Sequence, residues 1–248
     1  MRNIFLLIFT IIIKISGGQT ETVIKPEIIP VIDSSSYVKI LSEYMDTTFF
    51  NRYEDEIIKY EQADSAQGVP KEKVLFVGSS SFKKWYNIET DLLPFPVLNR
   101  GFGGSTMPEL DYYFFRMVKP YKPSAIVIYE GDNDVLAPFL TPEVILKSFS
   151  IFVSLTKQYL PGTKIFFVSI KPSPARLKYL KKMQTTNLLI KNYCNKSENL
   201  FYIDITKPMF DKKSRIREDI FRNDRLHMNE KGYKIWADII KKELLENL

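Results

Sequence analysis

The chain has 248 residues, of which 45% are hydrophobic, 14% aromatic and 26% charged, a balance that excludes a disordered or low-complexity chain and suits one well-buried domain. The formal charge of +6 comes from lysines scattered among acids, as in KPMFDKKSRIRED, and not from a dense basic block. No aromatic-rich RNA-binding pattern accompanies it, so nucleic acid is not expected as a partner.

The first segment, MRNIFLLIFTIIIKISGGQT, has Arg2, an apolar run from Ile4 to Ile13 and the small residues Ser16, Gly17 and Gly18. A bilayer core needs about 20 apolar residues, so the run reads as a signal peptide over 1–18 and the protein as exported, periplasmic or secreted. Lys14 keeps an uncleaved membrane anchor as the alternative, with at most peripheral membrane contact for the rest of the chain. No cysteine follows the run, which excludes a lipoprotein anchor. The sole cysteine, Cys194, falls in a helical pattern and reads as a small buried apolar residue. Residues 19–46, with Pro26, Pro30 and three consecutive serines, Ser34 to Ser36, read as a linker. The domain is expected over 47–248. It begins with a helix whose apolar face carries Phe50, Tyr53, Ile57 and Tyr60 and which ends before Gly68.

Beyond Pro70 the pattern alternates. Short apolar runs at 73–78, 95–101, 124–131, 164–172 and 199–206 are too short and too rich in β-branched and aromatic residues for buried helices, and predict five strands. Helical periods are expected at about 108–119, 142–160, 175–195 and 230–247. The stretch Thr106 to Glu109 has the form of a capping box, and Thr141 followed by Pro142 that of an N-cap with proline in the first turn. Strands alternating with helices predict an α/β fold, with a parallel sheet covered on both faces, because each parallel crossover is long and packs back on the sheet.

In such a sheet ligands bind at the C-terminal strand ends, which directs attention to four loops. They are Gly78-Ser79-Ser80-Ser81, Gly101-Phe102-Gly103-Gly104-Ser105, Gly131-Asp132-Asn133-Asp134 and Asp224-Arg225-Leu226-His227. A serine hydroxyl is a weak nucleophile until a base takes its proton, and His227 is the only imidazole in the chain. Asp224, three residues earlier, can hold the ring Nδ1–H and leave Nε2 free as the base. A glycine-rich loop lets the backbone approach a substrate oxygen, and an asparagine amide can add a further donor.

Each motif alone is commonly a plain turn; their joint placement on one sheet edge carries the reading. Glu130, Asp132 and Asp134 lack the remainder of a calcium loop, and no histidine–cysteine cluster exists for zinc, so no metal is expected. No P-loop or Gly-x-Gly-x-x-Gly pattern follows a strand, so no nucleotide or flavin cofactor is expected either. Residue chemistry does not separate Ser79, Ser80 and Ser81.

The blocks VLFVGSSSF, NRGFGGST, YEGDND and DRLHMNEKGY together resemble the four sequence blocks of the SGNH hydrolase superfamily, the GDSL-like esterases and lipases, over residues 70–247. The branch is similar to platelet-activating-factor acetylhydrolase catalytic subunits. The resemblance implies a flavodoxin-like α/β/α sandwich with strand order 2-1-3-4-5 and a serine esterase that needs no cofactor. By position it implies Ser80 as nucleophile, His227 as base and Asp224 as its orienter. The oxyanion hole would be built from the Ser80 and Gly104 N–H groups and the Asn133 side chain. The family's Gly-Asp-Ser-Leu is Gly78-Ser79-Ser80-Ser81 here, so the choice of Ser80 rests on the resemblance. The implied substrate is a small acyl ester, of a lysophospholipid or acetylhydrolase kind or, as the alternative, an acetylated sugar. A non-catalytic lipid- or sugar-binding protein on the same fold, and a flavin or nucleotide binder, are the rivals outside enzymes.

Overall fold

The structure, a computed structural model, describes residues 34–248. The signal peptide expected at 1–18 and most of the linker expected at 19–46 lie outside the described residues. The last part of that linker is not irregular: Ser34–Tyr44 is a helix, with Tyr37 and Met45 buried and Ile40 and Leu41 packed on the core. The spacing Tyr37, Ile40, Leu41 is a helical apolar face that the neighbouring serines and prolines mask in the sequence. The single helix expected next, with Phe50, Tyr53, Ile57 and Tyr60 on one face, is instead two, Thr47–Asn51 and Glu54–Gln67, with Tyr53 at the N-cap position of the second.

Five parallel strands follow: β1 Val74–Gly78, β2 Val97–Gly101, β3 Ala125–Tyr129, β4 Lys164–Val168 and β5 Leu200–Ile203. Their order in the sheet is β2-β1-β3-β4-β5, as the family resemblance implies. β1 and β3 are buried along their whole length, consistent with their central position and their near-continuous apolar sequence. Alternate residues face opposite layers. Leu75, Val77, Ile126, Ile128 and Phe167 pack with Phe149 and Phe152 of the helix Pro142–Tyr159, whereas Phe76, Val127, Tyr129 and Phe166 pack with Trp85 and with Trp236 of the helix Glu230–Asn247.

Two further helical expectations change in detail. The period at 108–119 is broken into Met107–Tyr112 and Phe114–Met117, and the one at 175–195 opens with the 3-10 turn Pro174–Tyr179 before the α-helix Leu180–Cys194. In the second case Pro172 and Pro174 lack backbone N–H groups and hold the chain out of an α-helical start. The Glu109 carboxylate closes the capping box, accepting from the Thr106 N–H at 3.0 Å and the Thr106 hydroxyl at 2.8 Å. At Thr141 the hydroxyl accepts from the Val144 N–H at 3.4 Å. Cys194 is buried, as expected. Among the described residues no helix is long and apolar enough to cross a membrane.

β1 has β2 on one side and β3 on the other, so the chain winds away in both directions from its C-terminal end. This is the switch point where connecting loops leave a crevice.

Candidate active site

The chain leaves β1 through Gly78, whose φ of +129° is in a region side chains rarely adopt and where a Cβ would overlap the Tyr129 carbonyl. The turn carries the three serines directly into the short helix Ser80–Lys83. Ser79 and Ser81 are buried, while Ser80 is half-buried and turns outward. The three residues that chemistry alone left equivalent are thus separated by helix geometry. Ser80 Oγ lies 3.0 Å from His227 Nε2, and His227 Nδ1 lies 2.6 Å from Asp224 Oδ2. The other Asp224 oxygen accepts from the Leu226 N–H at 3.0 Å and the His227 N–H at 2.9 Å, so one carboxylate shapes the loop and orients the ring.

Burial opposes ionisation of Asp224, but the hydrogen bonds from the His227 ring and the two backbone N–H groups outweigh it and hold the carboxyl well below its ordinary range. For His227, burial is the main downward influence and the positive charges of Lys84 and Lys171 add to it. The hydrogen bond and charge of Asp224 act upward, and the net shift is below the ordinary imidazole value of 6.5. The ring is therefore neutral, and able to accept a proton, from slightly acidic pH upward.

Lys84 was not foreseen from the sequence, although it stands one helical turn after Ser80. Its Nζ is 3.2 Å from His227 Nδ1. When Nδ1 donates its hydrogen to Asp224 it has no lone pair in the ring plane to offer, so Lys84 acts there as a charge. Lys84→Met is expected to raise the His227 pKa and move the acidic limb of the kcat/KM profile to higher pH, leaving the alkaline plateau in place. An unmoved limb in the folded variant would remove Lys84 from the electrostatics of the base. A groove of about 450 Å³, bordered by Tyr86, Arg222 and Tyr233, adjoins the site at this lysine.

Two further loops face Ser80. Gly104 has φ +92°, and its N–H has no backbone partner among the described residues. The Ser80 N–H stands in the first turn of its helix, where amides have no intrahelical acceptor. Asn133 Nδ2 donates to the Ser105 carbonyl at 2.9 Å, which fixes the amide plane and leaves its second hydrogen available. Behind these donors lies a buried acidic layer. Asp134, pushed up to about 7 chiefly by burial, accepts from the Met107 and Gly131 N–H groups, each at 2.9 Å, and ties the Asn133 loop to the helix after the glycine loop. Ser105 Oγ lies 2.5 Å from Glu130 Oε1 and 3.0 Å from the Phe102 carbonyl. A hydroxyl has one proton, so both contacts are satisfied together when Glu130, pushed well up by burial, keeps its proton and donates to Ser105.

The five site residues expected from the sequence, Ser80, Gly104, Asn133, Asp224 and His227, lie on loops at this edge. The structure brings Ser80, His227 and Asp224 into a hydrogen-bonded line, and it brings Gly104 and Asn133 there on the neighbouring loops. Such an arrangement can deprotonate a hydroxyl and offer N–H donors to a developing oxyanion, the requirements of acyl transfer.

The model of the GDSL-like lipase/acylhydrolase family matches residues 66–235. No curated protein matches the chain. Among solved structures, a candidate platelet activating factor from Streptococcus pneumonia has 17% identity and a TM-score of 0.68, covering 86% of this chain and 100% of that one. A GDSL-like lipase from Bacteroides thetaiotaomicron has 21% identity and a TM-score of 0.67, covering 80% and 100%. A carbohydrate esterase family 3 protein from Talaromyces cellulolyticus has 19% identity and a TM-score of 0.57, covering 71% and 97%. At these identities the likeness is one of fold.

Proposed function

The chain belongs to the GDSL-like lipase/acylhydrolase family and is an ester hydrolase of that family, and from that premise we propose that it is an exported serine esterase acting on short acyl esters of polar alcohols. The observation that carries the mechanism is the line from Ser80 Oγ through His227, at 3.0 Å and 2.6 Å, to Asp224. Ser80 attacks the ester carbonyl while His227 Nε2 takes its proton. The Ser80 and Gly104 N–H groups and the Asn133 amide stabilise the oxyanion. His227 then protonates the leaving alcohol as the tetrahedral intermediate collapses to the acyl-enzyme. Water attacks that ester with His227 again as base, and the acid leaves as Ser80 recovers its proton. Throughout, Asp224 keeps the ring in the tautomer that presents Nε2 to the serine.

The substrate class rests on what surrounds Ser80. Lys84, beside His227, borders a groove lined also by Arg222, Glu230 and Lys234, a polar setting better matched to a small acyl group on a sugar or other polar alcohol than to a long acyl chain. A carbohydrate esterase among the structural neighbours supports this choice. Export rests on the apolar run Ile4 to Ile13 and the small residues after it.

One experiment tests these points together. 4-Nitrophenyl esters of increasing chain length, acetylated xylo-oligosaccharides and a lysophospholipid are assayed on exported and cytoplasmic fractions, beside labelling with a fluorophosphonate. The expected result is label on Ser80, fastest turnover of acetyl esters and activity in the exported fraction. Preference for long chains or the lysophospholipid would overturn the substrate class, activity confined to the cytoplasm would overturn export, and an unlabelled, inactive folded protein would favour a binding protein.

A further inference from the structure

The segment after β4, Ser169-Ile-Lys-Pro-Ser-Pro-Ala-Arg176, brings a group of buried polar side chains to the catalytic edge that the mechanism above does not use. Lys171 is fully buried. Its ammonium pairs with Asp132 and reaches the Tyr129 hydroxyl at 3.2 Å. Asp132 immediately precedes Asn133, so this ion pair lies under the loop that carries the side-chain oxyanion donor.

Asp132 uses one carboxylate oxygen for Lys171 and for the Tyr129 hydroxyl, which donates at 3.2 Å. Its other oxygen, Oδ1, is buried and has no hydrogen-bond partner. Arg176 Nε is 4.0 Å from that oxygen, beyond hydrogen-bonding distance, and is itself buried without a partner. The Ser173 hydroxyl, one turn earlier, is the third buried polar group without a partner in this region. Buried polar atoms are normally paired, because an unpaired one loses its hydration with nothing in return. Three in neighbouring positions mark a place that receives polar atoms from elsewhere.

The turn and the helix Leu180–Cys194 that follows it are also fixed against the two catalytic loops. The Ala175 N–H donates to the Arg225 carbonyl at 3.0 Å, on the loop between Asp224 and His227. Lys182 Nζ donates to the Val135 and Ala137 carbonyls at 3.1 Å and 2.8 Å, just beyond Asn133. Arg176 therefore stands between the loop of the base and the loop of the oxyanion donor. Two cations, Lys171 and Arg176, face one carboxylate, and Lys171 already neutralises it by direct contact. One positive charge is left over, on a planar guanidinium suited to paired oxygens.

We propose that Arg176, assisted by the Ser173 hydroxyl, forms a subsite for an anionic oxygen group, carboxylate or phosphate, carried by the ester substrate. This rests on the serine-esterase reading and deepens it: the preferred ester is one with a negative charge a few bonds from the scissile carbonyl. Arg176 is then a specificity-determining residue, and the Asp132–Lys171 pair beneath it sets the position of the guanidinium.

The test compares charged and neutral partners of similar size. Mono-4-nitrophenyl succinate against 4-nitrophenyl butyrate places a carboxylate on the acyl side. 4-Acetoxybenzoate against 4-acetoxybenzamide places it on the leaving group, and 4-acetoxyphenyl phosphate against phenyl acetate replaces it by phosphate. The folded wild-type protein is expected to favour the anionic member of at least one pair by about tenfold in kcat/KM, a preference that weakens as salt rises. The pair that responds identifies the anion and the side of the ester that carries it. In Arg176→Gln the anionic-to-neutral ratio for that pair falls roughly tenfold, to near one, mainly through KM, as expected when a charge-assisted pair is lost. Arg176→Lys restores part of the ratio. Hydrolysis of neutral esters with no anionic preference, or an Arg176→Gln variant that slows both members alike, overturns the subsite and leaves the esterase reading standing; the latter pattern would make Arg176 a support for the Asn133 loop. A folded wild-type protein that hydrolyses no ester at all overturns both.

Discussion

His227→Ala is expected to lower kcat by roughly 10⁴- to 10⁶-fold while changing the thermal midpoint little, the scale seen when the base of a serine triad is removed. The chain contains one histidine, so no second imidazole can take over. The ring is also poorly placed to contribute to folding. It lies on a loop at the sheet edge, outside the three apolar clusters, and its side-chain partners are Ser80, Asp224 and Lys84. Asp224→Asn separates the two duties of that carboxylate. Its remaining oxygen can still accept from the Leu226 and His227 N–H groups, whereas an amide hydrogen facing Nδ1 favours the wrong ring tautomer. A loss of roughly 10³- to 10⁴-fold with little change in stability is expected. The double variant should be scarcely worse than His227→Ala, since members of one catalytic unit are strongly non-additive. Measuring kcat and thermal midpoint on all three decides the matter: substantial turnover by folded His227→Ala would sink the mechanism.

Asn133→Ala is the second large effect. Removing one oxyanion donor typically lowers kcat by roughly 10²- to 10³-fold, because the bond is stronger to the tetrahedral intermediate than to the ground-state carbonyl. The expected signature is a drop in kcat with KM nearly unchanged. The Asn133 amide also donates to the Ser105 carbonyl at 2.9 Å, so the variant loses one bond between the two oxyanion loops. That loop retains the backbone bonds to the Asp134 carboxylate, which hold it whether or not the amide is present. A near-wild-type kcat in the folded variant would take Asn133 out of the mechanism; a large rise in KM at constant kcat would make it a substrate-binding residue instead.

Much of this was readable along the chain because it depends on short-range order. The five apolar runs announced five strands, with β1 and β3 as continuous apolar segments suited to the centre of a sheet. Thr106 with Glu109, and Thr141 with Pro142, announced helix starts through contacts that span three residues. Asp224 and His227 are likewise close enough in sequence for their pairing to be a local matter. The helix at Ser34–Tyr44 was local too, but its apolar spacing is short and is masked by the prolines and serines that precede it.

The sequence by itself determined the α/β class, the strands, the loops that bear the chemistry and the residue types able to perform acyl transfer. Only the tertiary structure decided which serine faces the base, because Ser79, Ser80 and Ser81 differ in direction around a helix start and not in chemistry. It alone brought Lys84 to His227 across 143 positions, Lys171 to Asp132 across 39, and Arg52 to the buried Glu109 across 57. No periodicity encodes such pairs. They arise where separate loops converge at the end of a parallel sheet, and there burial makes a charge felt at distances that solvent would screen.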